Sequence, residues 1–246
     1  MKKLKNKIIV VTGGNGLLGR EFISKILSEG GTPISLDTSH KTDLGKMQVN
    51  CDITNKKSVK NSIEMILKRF TKIDGIVNNA YPRTKNWGEI FEKTSAEDWG
   101  ENVRLQLSSH FYITQLAAKE MVKNKNGSIV NVCSIYGMVG PDFSIYKGTE
   151  LTNPSAYSAI KGGMINFTRY LSSYLGKYNI RVNSISPGGI FDNQNDLFVK
   201  QYSQKVPLGR MGNPKDISPG LIYLLSDDSQ YVTGHNLVID GGYTSI

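Results

Sequence analysis

Short apolar runs alternate with longer amphipathic stretches along nearly the whole chain. The first run, Ile8-Ile9-Val10-Val11, precedes a glycine-rich loop. Continuous apolar runs of this length are typical of strands buried on both faces of a parallel sheet. The pattern predicts strands at residues 7–11, 33–36, 47–49, 73–77, 128–132, 181–185 and 236–239. It predicts helices at residues 17–28, 56–70, 97–123, 154–178 and 214–225.

Repeated β-α-β units predict an α/β fold, with a parallel sheet covered by helices on both faces. In such a sheet the ligand crevice lies beyond the carboxyl ends of the strands, where the strand order switches. Gly13, Asn78 and Ser134 each follow a predicted strand closely, so we expect all three near one crevice. No linker, repeat or low-complexity stretch interrupts the chain, and we therefore expect residues 1–246 to form one domain.

Composition and charge exclude several classes of protein. The formal net charge is +9, but the lysines are scattered and no basic cluster interleaves with aromatic residues, so we expect no nucleic-acid partner. The surplus charge would help to attract an anionic cofactor or substrate. No apolar run reaches the length of a membrane span. Cys51 and Cys133, without a CxxC pair, indicate reduced core thiols in a cytoplasmic protein, and we expect no metal site.

A glycine-rich loop at residues 12–19 joins the first strand to the first helix. Its glycines permit a tight turn and close approach to a pyrophosphate, while the helix N-terminus supplies free N–H groups. This strand–loop–helix context predicts a dinucleotide site. The loop residues predicted to contact the cofactor are Gly13, Asn15, Gly16, Leu17 and Leu18.

Asp37 ends the second strand and indicates which dinucleotide binds. A carboxylate there can accept both ribose hydroxyls of an adenosine and would repel the extra phosphate of NADP. We therefore favour NAD(H). NADP(H) is not excluded, because His40 and Lys41 follow closely and could soften the preference.

The next two strands also end in polar or small residues. Asp52, followed by Ile53, meets the adenine or caps the next helix, and the sequence leaves both open. Asn79 and Ala80 follow the fourth strand, where small and amide side chains suit packing against the adenosine. We expect Asn79 and Ala80 to contact the cofactor, and Asp52 and Ile53 to contact it where Asp52 meets the adenine.

Tyr157 and Lys161 lie four residues apart, and this spacing places them on one face of a helix. An ammonium beside a phenol stabilises the phenolate and lowers the tyrosine pKa from about 10. Such a tyrosine can exchange a proton with a carbinol or carbonyl oxygen, which the Ser134 hydroxyl can hold. The spacing alone also fits an exposed helix pair, so the interpretation depends on the other motifs.

Together the motifs resemble those of the short-chain dehydrogenase/reductase family in its single-domain form. The matching segments are the loop at residues 12–19, Asn78-Asn79-Ala80, Asn131-Val132-Cys133-Ser134, Tyr157 with Lys161, Pro187-Gly188, Thr233-Gly234 and Asp240-Gly241-Gly242. The resemblance implies a Rossmann-type, doubly wound sheet of seven parallel strands. It also implies a homotetramer or homodimer that moves a hydride between nicotinamide C4 and a carbon bearing oxygen of a small-molecule substrate.

The resemblance also implies a role for each matching side chain. Tyr157 would be the general acid/base, and Ser134 would orient the substrate oxygen. Lys161 would bind the nicotinamide ribose and lower the Tyr157 pKa. Tyr157 would contact the cofactor as well, and the remaining residues expected to contact it are Pro187, Gly188 and Ile190.

The chain departs from the family pattern at four places. Leu17 stands where single-domain members usually have their second glycine, so the loop conformation stays open. Gln106 occupies the position of an asparagine that holds a water in a proton relay, and Asn102 is an alternative one turn earlier. After Pro187-Gly188, Asp192 or Asn193 would replace a threonine that meets the carboxamide.

The fourth departure is a long segment between Ser134 and Tyr157, which adds an insert near residues 138–153. Extra length beside a site is often functional, so residues 140–149 are expected to form part of the substrate wall, although a plain surface elaboration is the alternative. We expect the region at 189–212 to contribute substrate loops as well. The polar and aromatic mix of the insert favours a polar or sugar-like substrate.

The insert and the run Ser134-Ile135-Tyr136-Gly137 resemble a subgroup found with bacterial flagellin and surface-glycan modification, which acts on nonulosonic sugars. Two other functions compete with this one. A 3-oxoacyl-thioester (acyl-carrier-protein) reductase would share the chemistry but prefer NADPH. A non-catalytic dinucleotide-binding sensor is the other, and the intact Ser134, Tyr157 and Lys161 argue against it.

Overall fold

The structure, a computed structural model, describes residues 2–246 and contains a seven-stranded parallel sheet. The strands are β1 Ile8–Thr12, β2 Thr32–Asp37, β3 Gln48–Asn50, β4 Gly75–Asn78, β5 Gly127–Val132, β6 Ile180–Pro187 and β7 Asn236–Ile239. Their order across the sheet is β3-β2-β1-β4-β5-β6-β7, and every neighbouring pair is parallel. The predicted doubly wound Rossmann-type fold is therefore confirmed.

Helices connect the strands and cover both faces of the sheet. They are α1 Leu17–Ser28, α2 Lys56–Phe70, α3 Ala96–Val103, α4 Ser109–Asn124, α5 Ser155–Leu175, α6 Asp196–Ser203 and α7 Pro214–Leu225. The bounds of α1, α2 and α7 coincide with the predicted ones. The helix predicted at 97–123 is instead divided into α3 and α4 by a π-helical segment at Arg104–Ser108. The short helix α6 was not predicted.

The apolar runs are buried as the sequence indicates, because helices pack against both sides of the central strands. All five residues of β1 are buried. Phe22 of α1 and Leu221 of α7 belong to the core on one face of the sheet. Ile63 of α2, Ile113 of α4 and Leu171 of α5 belong to the core on the other. Because helices bury both faces of these strands, the strand sequences are continuous apolar runs.

The strand order switches between β1 and β4. Strand β1 pairs with β2 on one side and with β4 on the other, although β2 and β4 are far apart along the chain. The connections after β1 and β4 therefore run to opposite sides and open a crevice at their carboxyl ends. Gly13 follows β1 and Asn79 follows β4, so the fold brings both loops to this crevice.

Three further observations concern the described residues. No helix is long and apolar enough to cross a membrane. No group of three or more His, Cys, Asp or Glu side chains within residues 2–246 is arranged to hold a metal ion. Cys51 and Cys133 are buried and unpaired, as expected for core thiols.

Candidate active site

One cleft lies at the carboxyl ends of the central strands and has a volume of about 710 Å³. Pockets that bind small molecules and cofactors typically measure about 300–1,000 Å³. The sequence-predicted residues that line it are Gly13, Gly16, Leu17, Leu18, Asp37, Asn79, Ala80, Ser134, Tyr157, Lys161, Pro187, Gly188 and Ile190. The predicted residues outside its lining are Asn15, Asp52, Ile53 and Gln106. The fold thus brings most of the predicted site together.

The glycine loop is so tightly packed that two of its residues have no room for a side chain. Gly13 has a φ of +63°, and a Cβ there would lie 2.8 Å from Cα of Ala80. A Cβ on Gly19 would lie 2.1 Å from the carbonyl oxygen of Gly13. The Gly16 N–H donates to the Gly13 carbonyl oxygen at 3.1 Å and Leu17 begins α1, so the unusual glycine spacing still produces a tight turn into a helix.

Asp37 ties the glycine loop to the end of β2. Its Oδ2 accepts a hydrogen bond from the Asn15 backbone N–H at 3.1 Å, and its Oδ1 accepts from the backbone N–H and hydroxyl of Ser39 at 3.0 and 2.7 Å. Burial raises the pKa of Asp37, but the Ser39 and Asn15 hydrogen bonds and His40 outweigh it, so the net pKa lies below the ordinary value. The carboxylate is therefore ionised at neutral pH.

These hydrogen bonds reduce the number of acceptor sites that the Asp37 carboxylate has free for a ribose. A carboxylate has about four acceptor sites, of which three are used here. One site is left free, so accepting both ribose hydroxyls would require one of the present bonds to be exchanged.

Asp52 makes a local turn instead of capping a helix. Its Oδ1 accepts from the backbone N–H of Thr54 at 2.9 Å and from its hydroxyl at 2.7 Å. Asn55 caps α2, accepting from two N–H groups of the first turn. The alternative that Asp52 caps α2 is therefore wrong. Ile53 is buried in the hydrophobic core, and contacts of either residue with an adenine stay predictions.

Asn79 braces the glycine loop from the neighbouring strand. Its Nδ2 donates to the carbonyl oxygens of Thr12 and Gly13, both at 3.0 Å. Its neighbour Asn78 points to the other side and donates to Asn131 Oδ1 at 2.7 Å, linking β4 to β5 beneath the cleft. The two asparagines thus fix the ends of three adjacent strands against one another.

Ser134, Tyr157 and Lys161 meet at the centre of the cleft. Tyr157 and Lys161 lie on α5, and Lys161 Nζ donates to the carbonyl oxygen of Val132 at 2.9 Å. This nitrogen is 5.6 Å from the centroid of the Tyr157 ring. Ser134 follows β5, is only 6% exposed, and lies beside the Tyr157 phenol. The predicted same-face pair is therefore aimed into the cleft and not out to solvent.

Burial is the largest influence on the pKa values of Tyr157 and Lys161. Burial raises the pKa of Tyr157, and the hydrogen bond with Ser134 lowers it by less. Burial also lowers the pKa of Lys161. The expected lowering of the Tyr157 pKa is therefore not found in this arrangement, because desolvating the phenolate costs more than its surroundings return.

Gln106 faces the protein interior. It lies in the π-helical segment and is 1% exposed, and its Nε2 has no hydrogen-bond partner in the described part of the chain. His110, one turn later, has two buried ring nitrogens that are likewise unpartnered within residues 2–246. Burial and the charge of Lys161 lower the pKa of His110 to about 3, so its ring is neutral at neutral pH.

Asn102, the alternative relay residue, has a structural contact of its own. Its Nδ2 donates to the Thr84 hydroxyl at 2.9 Å and to Asp98 Oδ2 at 3.0 Å, and its Oδ1 accepts from the Thr84 backbone N–H at 3.1 Å. Asn102 therefore fixes the loop after β4, whereas Gln106 Nε2 has no partner within residues 2–246.

Comparison with known proteins identifies the family. A family model described as enoyl-(acyl carrier protein) reductase matches residues 35–244. The chain is 36% identical over 253 residues to the post-translational flagellin modification protein A of Campylobacter coli, covering 98% of this chain and 99% of that protein. The chain belongs to the short-chain dehydrogenase/reductase family. It is therefore an oxidoreductase that acts on CH–OH or keto groups of small molecules.

Two further relatives within this family bear on the cleft. A 3-oxoacyl-(acyl-carrier-protein) reductase of Thermotoga maritima is 30% identical, with 98% of both chains covered. The crystal structure of a short-chain dehydrogenase from Leptospira borgpetersenii with bound NAD+ is 37% identical and has a TM-score of 0.89, covering 98% of this chain and 94% of that one. The fold and the family are thus shared along nearly the whole enzyme.

The insert of this oxidoreductase packs onto α6 and reaches the cleft. Ile145 is 1% exposed, and the Tyr146 ring stacks on Phe198 of α6 with centroids 5.4 Å apart. Tyr146 and Asn153 line the cleft, so the insert forms part of its wall. On the β6 side Asp192 lines the cleft too, and Asn193 does not.

Sequence reasoning missed an aromatic corner directly after β4. The Tyr81 ring packs edge-on against Tyr157 at 5.8 Å and against Trp87 at 5.6 Å. The Arg83 guanidinium lies over the Tyr81 ring, 5.7 Å from its centroid. Tyr81 and Arg83 line the cleft. Their place after a central strand was the available signal, since ligands bind at those ends, but the sequence interpretation stopped at Ala80.

Proposed function

We propose that this enzyme is an NAD-dependent oxidoreductase that interconverts a secondary alcohol and a ketone on a polar, sugar-type small molecule. One observation carries the proposal. Ser134, Tyr157 and Lys161 face the same cleft as the glycine loop and the Pro187-Gly188 segment. A proton-transfer group and a dinucleotide cradle in one cleft are what hydride transfer to or from a C–O carbon requires.

The cleft fits a nicotinamide dinucleotide. Gly13 and Gly16 line the cleft without side chains, so a pyrophosphate can approach the loop backbone and the N-terminus of α1. The ionised Asp37 at one end favours an unphosphorylated ribose, which supports NAD over NADP. The relative from Leptospira borgpetersenii has bound NAD+. When bound, the cofactor supplies a nicotinamide C4 that gives or takes the hydride.

Tyr157 is the proton donor and acceptor in the proposed mechanism. In reduction its phenol gives a proton to the oxygen that becomes the alcohol, and in oxidation its phenolate takes that proton back. The Ser134 hydroxyl holds the same oxygen, and the Lys161 ammonium stabilises the phenolate and binds the nicotinamide ribose. Because burial raises the pKa of Tyr157, the phenol is protonated at neutral pH, which is the form that reduction needs.

Gln106 takes the place of the relay asparagine in this proposal. It is 1% exposed, and its Nε2 is not engaged by any other group within residues 2–246. In this role its amide would hold a water, and that water would resupply the proton of Tyr157 by way of Lys161. The π-helical segment supports this role, because it turns the side chain inward.

The substrate class rests on the cleft and on one relative. The substrate end is lined by Tyr81, Arg83, Tyr146, Asn153 and Asp192, which offer hydrogen bonds, charge and ring faces, beside the apolar side chains Ile135, Phe198 and Met211. The Campylobacter coli relative is a flagellin modification protein. These two observations support a sugar-type substrate, such as a nonulosonate or another surface-glycan precursor.

A second candidate is a 3-oxoacyl-thioester reductase, which the Thermotoga maritima relative favours. This activity shares the hydride chemistry but acts on a carrier-bound acyl chain. Turnover of an acetoacetyl thioester with NADPH at a rate well above that of any sugar-type substrate would support it over the first proposal.

The function is tested by comparing the wild type with Tyr157→Phe. Turnover is followed by nicotinamide absorbance over a panel of sugar alcohols, keto sugars and nonulosonates, and NAD affinity by fluorescence titration. We expect Tyr157→Phe to bind NAD as well as the wild type and to lose about 100-fold to 10,000-fold in kcat. In the wild type, alcohol oxidation should rise with pH and reduction should fall as Tyr157 loses its proton. Unchanged kcat in Tyr157→Phe would contradict the proposed role.

A further inference from the structure

We infer that Arg83 forms an anion subsite that selects substrates carrying a carboxylate or a phosphate. The inference deepens the proposed function and rests on it for the position of the reacting carbon at Tyr157. What it adds is a charge requirement on the part of the substrate that does not react. Four observations about the loop after β4 carry it.

The first observation concerns the charges of the cleft. Among residues 2–246, the cations that line the cleft are Lys161 and Arg83, and the carboxylates that line it are Asp37 and Asp192. Lys161 is buried and already donates to the Val132 carbonyl. Arg83 is therefore the cation that a substrate entering from solvent would meet.

The second observation is that Arg83 is not engaged by a carboxylate. None of the ion pairs within 4.0 Å among residues 2–246 includes it. A guanidinium has five N–H donors in a planar fork that matches the two oxygens of a carboxylate or phosphate. An exposed arginine that lines a cleft and keeps this fork free is suited to bind such a group from outside.

The third observation is the route from Arg83 to the reacting centre. The guanidinium lies over the Tyr81 ring, and the edge of that ring packs against Tyr157. One aromatic ring thus separates the anion-binding fork from the phenol. A substrate with its C–O bond at Tyr157 would extend along the Tyr81 ring and place a group several bonds away at Arg83.

The fourth observation is that the loop is held in place at two points. The Thr84 backbone N–H and hydroxyl bind Asn102 of α3, which is 1% exposed. Trp87 is 9% exposed and packs with Ala156 and Ile160 of α5, the helix that carries Tyr157. Side chains from two helices therefore fix the backbone around Arg83, which is the support that a precise binding site needs.

The competing role for Arg83 is contact with a phosphate of the cofactor. The glycine loop and the N-terminus of α1 already form a backbone cradle for that pyrophosphate on the other side of Ala80. The two roles differ in what they predict, since a cofactor contact changes NAD affinity and a substrate contact does not.

The experiment compares wild type, Arg83→Gln and Arg83→Lys, with Lys85→Gln as the matched control. Lys85 is an exposed cation in the same loop that does not line the cleft. The probes are gluconate against glucitol for a carboxylate, and glucitol 6-phosphate against glucitol for a phosphate. The readouts are kcat/KM with NAD, NAD affinity by fluorescence titration, and binding of each probe to the NAD complex by NMR.

We expect the wild type to prefer the charged member of at least one pair, and the preferred pair identifies carboxylate or phosphate. Arg83→Gln should lower kcat/KM for that probe about 10-fold to 100-fold, mainly through KM, with little change for glucitol. Arg83→Lys should recover part of the loss, because it restores the charge without the fork. NAD affinity should change less than about twofold in any variant, and Lys85→Gln should behave as the wild type.

Three results would overturn the inference. The first is that the wild type uses charged and neutral probes equally well. The second is that Arg83→Gln lowers kcat/KM for glucitol as much as for the anionic probe. The third is that Arg83→Gln binds NAD more weakly. If no probe is turned over, binding decides. If the wild type binds an anionic probe and Arg83→Gln does not, the subsite is supported, although the proposed substrate class fails. If the wild type binds no anionic probe, the subsite is rejected. Glucitol turnover without anion preference rejects the subsite and leaves the proposed function standing.

Discussion

The two ends of the cleft are built by different means. At the cofactor end, backbone groups and short polar side chains hold one another, as when Asp37 binds the Asn15 N–H and Asn79 binds the Gly13 carbonyl. At the substrate end, large rings pack against each other, as when Tyr146 stacks on Phe198. The cofactor end therefore depends on a fixed backbone, while the substrate end depends on which side chains meet.

This difference has a consequence for how each end tolerates change. A site built from backbone atoms does not tolerate an added atom, because the backbone atom that it meets cannot move to another rotamer as a side chain can. A wall of side chains can change its shape when one ring is replaced, so that selectivity changes while the fold persists. The two ends should therefore respond differently to substitution.

Gly19→Ala and Gly140→Ala compare one added methyl at the two ends. A Cβ at Gly19 would lie 2.1 Å from the Gly13 carbonyl oxygen, whereas a Cβ at Gly140 in the insert meets nothing within 4 Å. We expect Gly19→Ala to lose about 1–3 kcal/mol of unfolding free energy and to weaken NAD binding. Gly140→Ala should change neither. Urea denaturation and NAD titration measure both, and equal effects at the two positions would remove the contrast.

Asp37→Ala tests the chemistry of the cofactor end. Removing the carboxylate removes the repulsion of a 2′-phosphate, so we expect the ratio of NADP to NAD use to rise roughly tenfold or more. Asp43→Ala is the control, since it removes an equal charge from a residue outside the cleft lining. Steady-state kinetics with both cofactors measure the ratio. An unchanged preference in Asp37→Ala would refute its assigned role.

Tyr146→Ala tests the substrate end and should have the smallest effect. Tyr146 lines the cleft, so losing its ring should raise the substrate KM by a few-fold, as expected from a contact of about 0.5–1.5 kcal/mol. NAD affinity should not change. Phe143→Ala is the control, because Phe143 belongs to the same insert, is 59% exposed and does not line the cleft. A loss of NAD affinity in Tyr146→Ala would show that the two ends are coupled.

Local patterns in the sequence determined the fold and the cofactor end. Buried parallel strands require apolar runs, and a turn that binds a dinucleotide requires glycines next to a helix start. Both patterns can therefore be recognised in a sequence segment of about ten residues. The four-residue spacing of Tyr157 and Lys161 likewise follows from helix geometry alone. The bounds of α1, α2 and α7 were predicted for the same reason, because their apolar periodicity begins and ends with local signals.

Only the tertiary structure decided the proposed substrate end of the cleft and the ionisation of the proposed catalytic pair, Tyr157 and Lys161. Tyr81, Tyr146 and Phe198 come from three distant segments, and nothing in any one segment indicates that their rings share a cleft. The pKa of Tyr157 is raised because burial outweighs its neighbours, and burial is a sum over contacts from the whole fold. Sequence determines which groups are present, whereas their desolvation and their long-range partners exist only once the chain has packed.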